Sequence, residues 1–193
     1  MNHRICATFI GAALTPISTL SWMSLLAITP VLGAGTPPLS PELQPLQKAV
    51  GKWIYHGENL QTPYTKAGKW DWDVDCGWSA NRIYVVCSFV MNWPEGPDHS
   101  LSVSTFNTVD KSYWHYEVID DNKGSKPVVS RMTIDGDTWT DASDNIEADN
   151  NTASHYRVVY HYVSSTRVEV KFEVSTDGTH WKMLGQGQGI KQP

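Results

Sequence analysis

The chain has 193 residues with 20 acidic and 15 basic side chains, for a formal net charge of -5. Lys and Arg are scattered rather than clustered, which argues against nucleic-acid binding. There is no nucleophile elbow, phosphate-cradling loop or dinucleotide fingerprint, so no common cofactor or hydrolase chemistry is written in a short motif.

In chain order, Met1-Asn2-His3-Arg4 is followed by an uncharged run from Ile5 to Pro41. The basic start, apolar middle and small-residue end read as a secretory signal peptide over residues 1–34, cleaved after Gly33 or Ala34. The competing reading is an uncleaved membrane anchor, against which Pro16, Pro30 and the small residues at the end of the run argue. The expected location is periplasmic or secreted, without stable membrane insertion once the signal is removed. Cys6 leaves with the signal, and the remaining Cys76 and Cys87 are expected to form one disulfide in an exported chain.

Residues 35–45 are a proline-rich linker that passes into a short helix, with Ser40 as its cap, Pro41 in its first turn, and Leu43, Leu46, Gln47 and Val50 at helical spacing. Residues 46–193 form the folded domain. A strand opens at Gly51-Lys52-Trp53 and ends near Glu58, and Asn59 to Lys66 is a loop.

From Trp70 to Trp78, large apolar residues and Cys76 alternate with Asp71, Asp73, Asp75 and Gly77, the period of a half-buried strand. With a turn between Asn81 and Arg82, Trp78 faces Val85, Cys76 faces Cys87, Val74 faces Phe89 and Trp72 faces Met91. A slip of one residue would set acids against apolar partners, so the pattern selects this register.

Asn92 to His99 reads as a loop because of its prolines and glycine. Strands follow at Leu101 to Thr108 and Tyr113 to Ile119, then a polar turn from Asp120 to Pro127. A hairpin over Val128 to Ile134 and Thr138 to Asp141 comes next, and Ala142 to Thr152 is a polar, mobile stretch that carries the sequon Asn150-Asn151-Thr152. The last strands run from His155 to Val163, Arg167 to Ser175 and Trp181 to Ile190. A turn at Asp177-Gly178 sets Val174 against Trp181, Phe172 against Met183, Val170 against Gly185 and Glu173 against Lys182. Ser175 to Trp181 is similar to the aspartate box of sialidase propellers, but its tryptophan comes one residue early and the motif stands alone, so it reads as a hairpin. Gly185, Gly187 and Gly189 lie on the inner face, where they relieve crowding or let a ligand approach.

Short antiparallel strands joined to their nearest neighbours make this an all-β chain. The expected architecture is an up-and-down barrel of about 8–10 strands with a short N-terminal helix. Cys76-Gly77-Trp78 with Val85-Val86-Cys87, Gly136-Asp137-Thr138-Trp139-Thr140, and Phe172 to Gly178 with Trp181 and Gly187 resemble an exported bacterial family, domain of unknown function fifteen-seventy-nine. The resemblance spans about Leu46 to Lys191 and implies a lipocalin-like, calycin-type barrel with no catalytic residue to carry over. Where the family tends to carry glycines in the cysteine hairpin, this chain has Ala80-Asn81-Arg82.

The nine tryptophans and eight tyrosines form either a plain core or, in part, the lining of a cup. Trp53, Trp72, Trp78, Tyr156, Tyr160, Tyr162 and Trp181 are the lining candidates, for a small hydrophobic or aromatic partner. Histidines 56, 99, 115, 155, 161 and 180 have no metal-ligand spacing, and neither a metal nor a cofactor is expected; a lone histidine holding a haem is the remote exception.

On Tyr113 to Val118, alternation puts Tyr113, His115 and Glu117 on one face and Trp114, Tyr116 and Val118 on the other. Polarity alone turns the second set inward and leaves His115 and Glu117 in water. The opposite rotation places them in the cup as a cofactor-free acid-base pair for a lyase or isomerase. A ligand-binding barrel, an enzyme built in the same cup, and a structural or interaction module are the three functions that remain open. Nothing in the sequence sets an oligomeric state.

Overall fold

The structure, a computed structural model, describes residues 38–120, 124–147 and 153–193. The signal peptide and the sequon lie outside the described residues. The strands are β1 (Gly51–Asn59), β2 (Gly68–Trp78), β3 (Val85–Trp93), β4 (Gly96–Asn107), β5 (Ser112–Asp120), β6 (Ser125–Asp135), β7 (Thr138–Glu147), β8 (Ala153–Ser164), β9 (Arg167–Ser175) and β10 (Lys182–Lys191). Each pairs antiparallel with the next, and β1 pairs with β10, so the meander closes into a barrel of ten strands with no free edge.

The cysteine hairpin has the register its sequence selects: Trp78 opposite Val85, Cys76 opposite Cys87, Val74 opposite Phe89 and Trp72 opposite Met91. Cys76 and Cys87 are disulfide-bonded, with their Cα atoms 4.1 Å apart. In the loop that joins β2 to β3, Arg82 takes a left-handed φ of 55°, a conformation a glycine would adopt without strain.

One end of the barrel is plugged. The N-terminal helix is a 3₁₀ helix at Gln44–Lys48 with Pro45 in its first turn, rather than a helix capped by Ser40 and opened by Pro41. Leu46 is buried beneath it. The plug is tied down by Trp78 Nε1 donating to Gln47 Oε1 at 2.8 Å, Trp53 Nε1 to Ala49 O at 2.9 Å, Tyr113 Oη to Glu42 O at 2.6 Å and Lys48 Nζ to Gly136 O at 3.1 Å. These bonds engage the β2, β5 and β6–β7 ends, and the opposite end is the one at which β1, β3, β5, β7 and β9 finish.

At that opposite end the strands run further than their composition suggests. The segment from Asn92 to His99 is not a loop: β3 and β4 continue to Trp93 and from Gly96, joined through Pro94 and Glu95. Gly96 takes φ 139°, so the glycine that reads as a loop marker is the residue that lets the chain reverse. Likewise β7 extends to Glu147, so Ala142 to Glu147 is strand, and Asp120 and Ser125 to Pro127, expected in a polar turn, belong to β5 and β6.

The last hairpin is displaced from its expected register. Phe172 pairs with Gly185 and Val170 with Gly187, because the turn is longer than Asp177-Gly178 alone and a bulge falls between Met183 and Gly185. Asp177 holds that longer turn by accepting from the backbone N–H groups of Thr179 and His180, both at 2.8 Å. Glu173 is bonded to Arg157 Nε at 2.6 Å and does not face Lys182. The inward glycines relieve crowding: a Cβ on Gly187 would stand 2.5 Å from the Trp70 ring, and one on Gly189 would stand 2.5 Å from Tyr55.

Candidate functional site

Over most of the barrel, apolar side chains point in and polar ones point out. On β9, for example, Val168, Val170, Phe172 and Val174 are buried, with Arg167 and Lys171 exposed. Strands β4 to β6 invert this. Ser100, Ser102, Ser104 and Ser130 are buried, while Leu101, Tyr116, Val118 and Val129 are 45–53% exposed. His115 and Glu117 share the serines' side of the sheet, because Ser104 pairs with His115, Ser102 with Glu117, and His115 with Ser130. The polarity-based assignment of β5 is therefore overturned: Tyr116 and Val118 face outward, and His115 and Glu117 face the interior.

The side chains on this wall are bonded to one another. Ser104 Oγ lies 2.9 Å from His115 Nδ1, and Ser100 Oγ donates to Glu117 Oε1 at 2.5 Å. The other imidazole nitrogen, His115 Nε2, stands 3.9 Å from Glu117 Oε2 and 3.9 Å from Asp141 Oδ2 of β7. These gaps exceed a direct hydrogen bond and leave both carboxylates free to meet a third group. Burial by itself would lower the basicity of His115, but the facing Glu117 carboxylate and the Asp141 charge outweigh it and raise its pKa. Burial pushes Glu117 up, yet His115 and the Ser100 hydroxyl prevail and hold it below the usual carboxylate range. Asp141 goes the other way: burial raises its pKa, and the positive His115 and the nearby Ser130 hydroxyl only partly oppose this. Asp141 Oδ1 and Ser130 Oγ are buried, and neither makes a well-formed hydrogen bond.

These groups line a cavity of about 1110 Å³. Across it stand Trp72, Phe89, Met91, Trp93 and Phe172, and the lining reaches Tyr64 and Thr65 after β1 and Glu95 after β3, at the end away from the 3₁₀ plug. The aromatic wall is tightly built, with the Trp72 and Trp93 ring centroids 5.1 Å apart and Phe172 within 5.8 Å of both. A shallower depression of about 660 Å³ lies among His56, Lys69, Lys171 and Gln188, whose side chains are exposed. Among the described residues, no three His, Cys, Asp or Glu side chains are arranged to hold a metal ion.

Of the expected lining residues, Trp72, Tyr156 and Tyr160 border the cavity. Burial raises the pKa of both tyrosines, so their hydroxyls keep their protons. Trp53 and Tyr162 do not border it; they pack on each other, with centroids 6.1 Å apart, under the 3₁₀ plug. Trp78 is engaged with Gln47 at the same end, and Trp181 lies beneath the Arg157 guanidinium, 4.0 Å from its ring, on the outer face. Asp141, Ser130 and Trp93 are site residues that the sequence reading passed over. Asp141 shares a parity with buried Trp139, and that spacing was the signal available for it.

No protein-family model and no curated protein matches the sequence. Among solved structures, the crystal structure of Rv2717c from M. tuberculosis matches over 81% of this chain and 100% of that chain, at 13% identity and a TM-score of 0.53. The likeness is one of fold. It agrees with the closed antiparallel barrel and goes no further.

Proposed function

We propose that this chain is an exported lipocalin-like barrel that takes a small, largely apolar or aromatic molecule into its interior. What supports the reading is a single feature: the inverted wall of β4 to β6 faces an aromatic wall across one cavity. A wall that only had to fill a core would gain by turning Leu101, Tyr116, Val118 and Val129 inward, at about 25 cal/mol per Å² of apolar surface. Placing serines, a histidine and two acids there instead is the pattern of a pocket, in which an apolar body is gripped and a few polar groups fix its orientation. The disulfide suits an oxidising compartment, in keeping with a periplasmic or secreted location. A panel of aromatic and fatty molecules should include one that raises the midpoint of thermal unfolding in proportion to the logarithm of its concentration. A panel with no such member would remove the reading.

A second reading, a lyase or isomerase working without a cofactor, has its own observation. Glu117 and Asp141 flank one imidazole nitrogen, and their environments push their pKa values in opposite directions. In such an enzyme Glu117 stays anionic and holds His115, while His115 and Asp141 exchange a proton with the substrate. Such a role is worth about 10²- to 10⁴-fold in rate. Once a substrate is found, His115→Gln and Glu117→Gln should each abolish turnover and leave binding in place; turnover that survives both would contradict this mechanism.

A further inference from the structure

The charges that line the cavity are one-sided. Glu95, Asp98, Glu117, Asp141 and Asp144 contribute to the lining, and among the described lining residues there is no Lys or Arg, His115 being the one basic group. Towards the rim the acids are partly answered from outside, as when Glu95 accepts from the Lys66 backbone N–H at 2.7 Å and Asp144 from His155 at 2.7 Å. Deeper in, Glu117 and Asp141 share the single His115. Glu117 already accepts from Ser100, but Asp141 Oδ1 and the hydroxyl of Ser130, which is 6% exposed and stands on the adjacent strand β6, make no well-formed hydrogen bond. A buried carboxylate oxygen without a well-formed hydrogen bond is costly, and the Ser130 hydroxyl beside it answers that cost only in part.

We propose that the molecule this cavity takes is a protonated amine carried on an aromatic or alkyl body. The proposal rests on reading the cavity as a binding site and adds the charge of its occupant. An ammonium group offers N–H donors to both atoms, one to Asp141 Oδ1 and one to Ser130 Oγ, and supplies the positive charge that a single histidine shares between two carboxylates. Trp72, Trp93, Phe89 and Phe172 cover the organic body, and their ring faces favour a cation over an anion. A carboxylate or phosphate ligand would bring a further negative charge against Glu117 and Asp141, with His115 alone to oppose it. An alcohol fits the apolar space but gives at most one donor and no charge.

Calorimetric titration of the full folded domain at neutral pH with three probes of one shape decides the matter: 1-naphthylmethylamine, 1-naphthalenemethanol and 1-naphthoic acid. The amine should bind at least about tenfold more tightly than the alcohol, and the acid at least about tenfold more weakly than the alcohol. Asp141→Asn should reduce the amine's advantage over the alcohol, both measured on that variant, to within about threefold. Ser130→Ala should erode the same preference in part and serves if the first variant does not fold. An alcohol that binds as well as the amine, or an acid that binds best, overturns the amine while leaving the binding site in place. Three probes that all fail to saturate overturn both.

Discussion

His115 stands between two carboxylates, and its removal leaves them facing each other in a buried wall. His115 has a raised pKa in the folded state, so the stability it contributes is fully present below its unfolded pKa and is lost as the pH climbs through the folded value. Glu117 is depressed, so its contribution is present above its unfolded pKa and disappears as the pH falls through the folded one. Between those limits His115→Gln should cost about 3 kcal/mol, shrinking at alkaline pH, where the wild-type imidazole is neutral as well. Asp141 is raised by burial, so its proton is held more tightly in the fold than in the unfolded chain, and stability is lost as the pH rises through its folded pKa. Asp141→Asn should therefore be stabilising at pH 8 and lose that advantage by pH 4. Urea unfolding of both variants across pH checks the two signs; penalties that do not change with pH would mean these groups are not coupled by charge. The parity of this wall was legible and its direction was not. Alternation correctly grouped His115 with Glu117, but choosing the inner set by polarity fails on a wall built to be polar inside. The serines at 100, 102 and 104, alternating with Leu101 and Val103 on the neighbouring strand, carry the same inversion and are the sequence signal that resolves it.

Pattern is most informative where a strand's two faces differ sharply. The β2–β3 hairpin shows this: apolar residues alternate with aspartates, a single register satisfies every pair, and the disulfide closes across it. Replacing both cysteines by serine should lower stability by about 3 kcal/mol, the loop-closure value for a ring of this size, without changing the fold. Thiol titration of the unreduced, denatured wild type should find Cys76 and Cys87 unreactive, and two free thiols would contradict the bridge. The β9–β10 hairpin is the counterexample. Beyond Leu184 at the bulge, its inner β10 positions are glycines, which have no side chain to set a register, so the bulge after Met183 and the aspartate-held turn decide it instead. Among them Gly187 makes room for Trp70, whose ring occupies the space over both Gly57 of β1 and Gly187. Gly187→Ala should cost about 1–3 kcal/mol and displace Trp70, visible as a shift in tryptophan emission or near-UV circular dichroism. A neutral substitution would show that the sheet yields there without strain.

The whole molecule divides its aromatic residues between its two ends. Trp53, Trp139 and Tyr162 pack beneath the 3₁₀ plug, with the Trp139 and Tyr162 centroids 4.8 Å apart, while Trp72, Trp93 and Phe172 border the cavity. The barrel, its closure and its strand order follow from nearest-neighbour hairpins in the sequence. The division between filled end and hollow end does not, because both ends are written in the same aromatic alphabet at the same period. Only the closed sheet brings the β4–β6 wall opposite Trp72 and leaves Trp78 bonded to the plug. Two tryptophans of one strand, Trp72 and Trp78 of β2, therefore separate the cavity from the core in a single experiment, a titration of intrinsic tryptophan emission with a panel of aromatic and fatty molecules. Saturable quenching is expected in the wild type, weakened by Trp72→Leu with the fold intact and unchanged in affinity by Trp78→Leu. No saturable quenching from any member of the panel, or equal loss of affinity in both variants, would contradict a ligand held between the polar and aromatic walls.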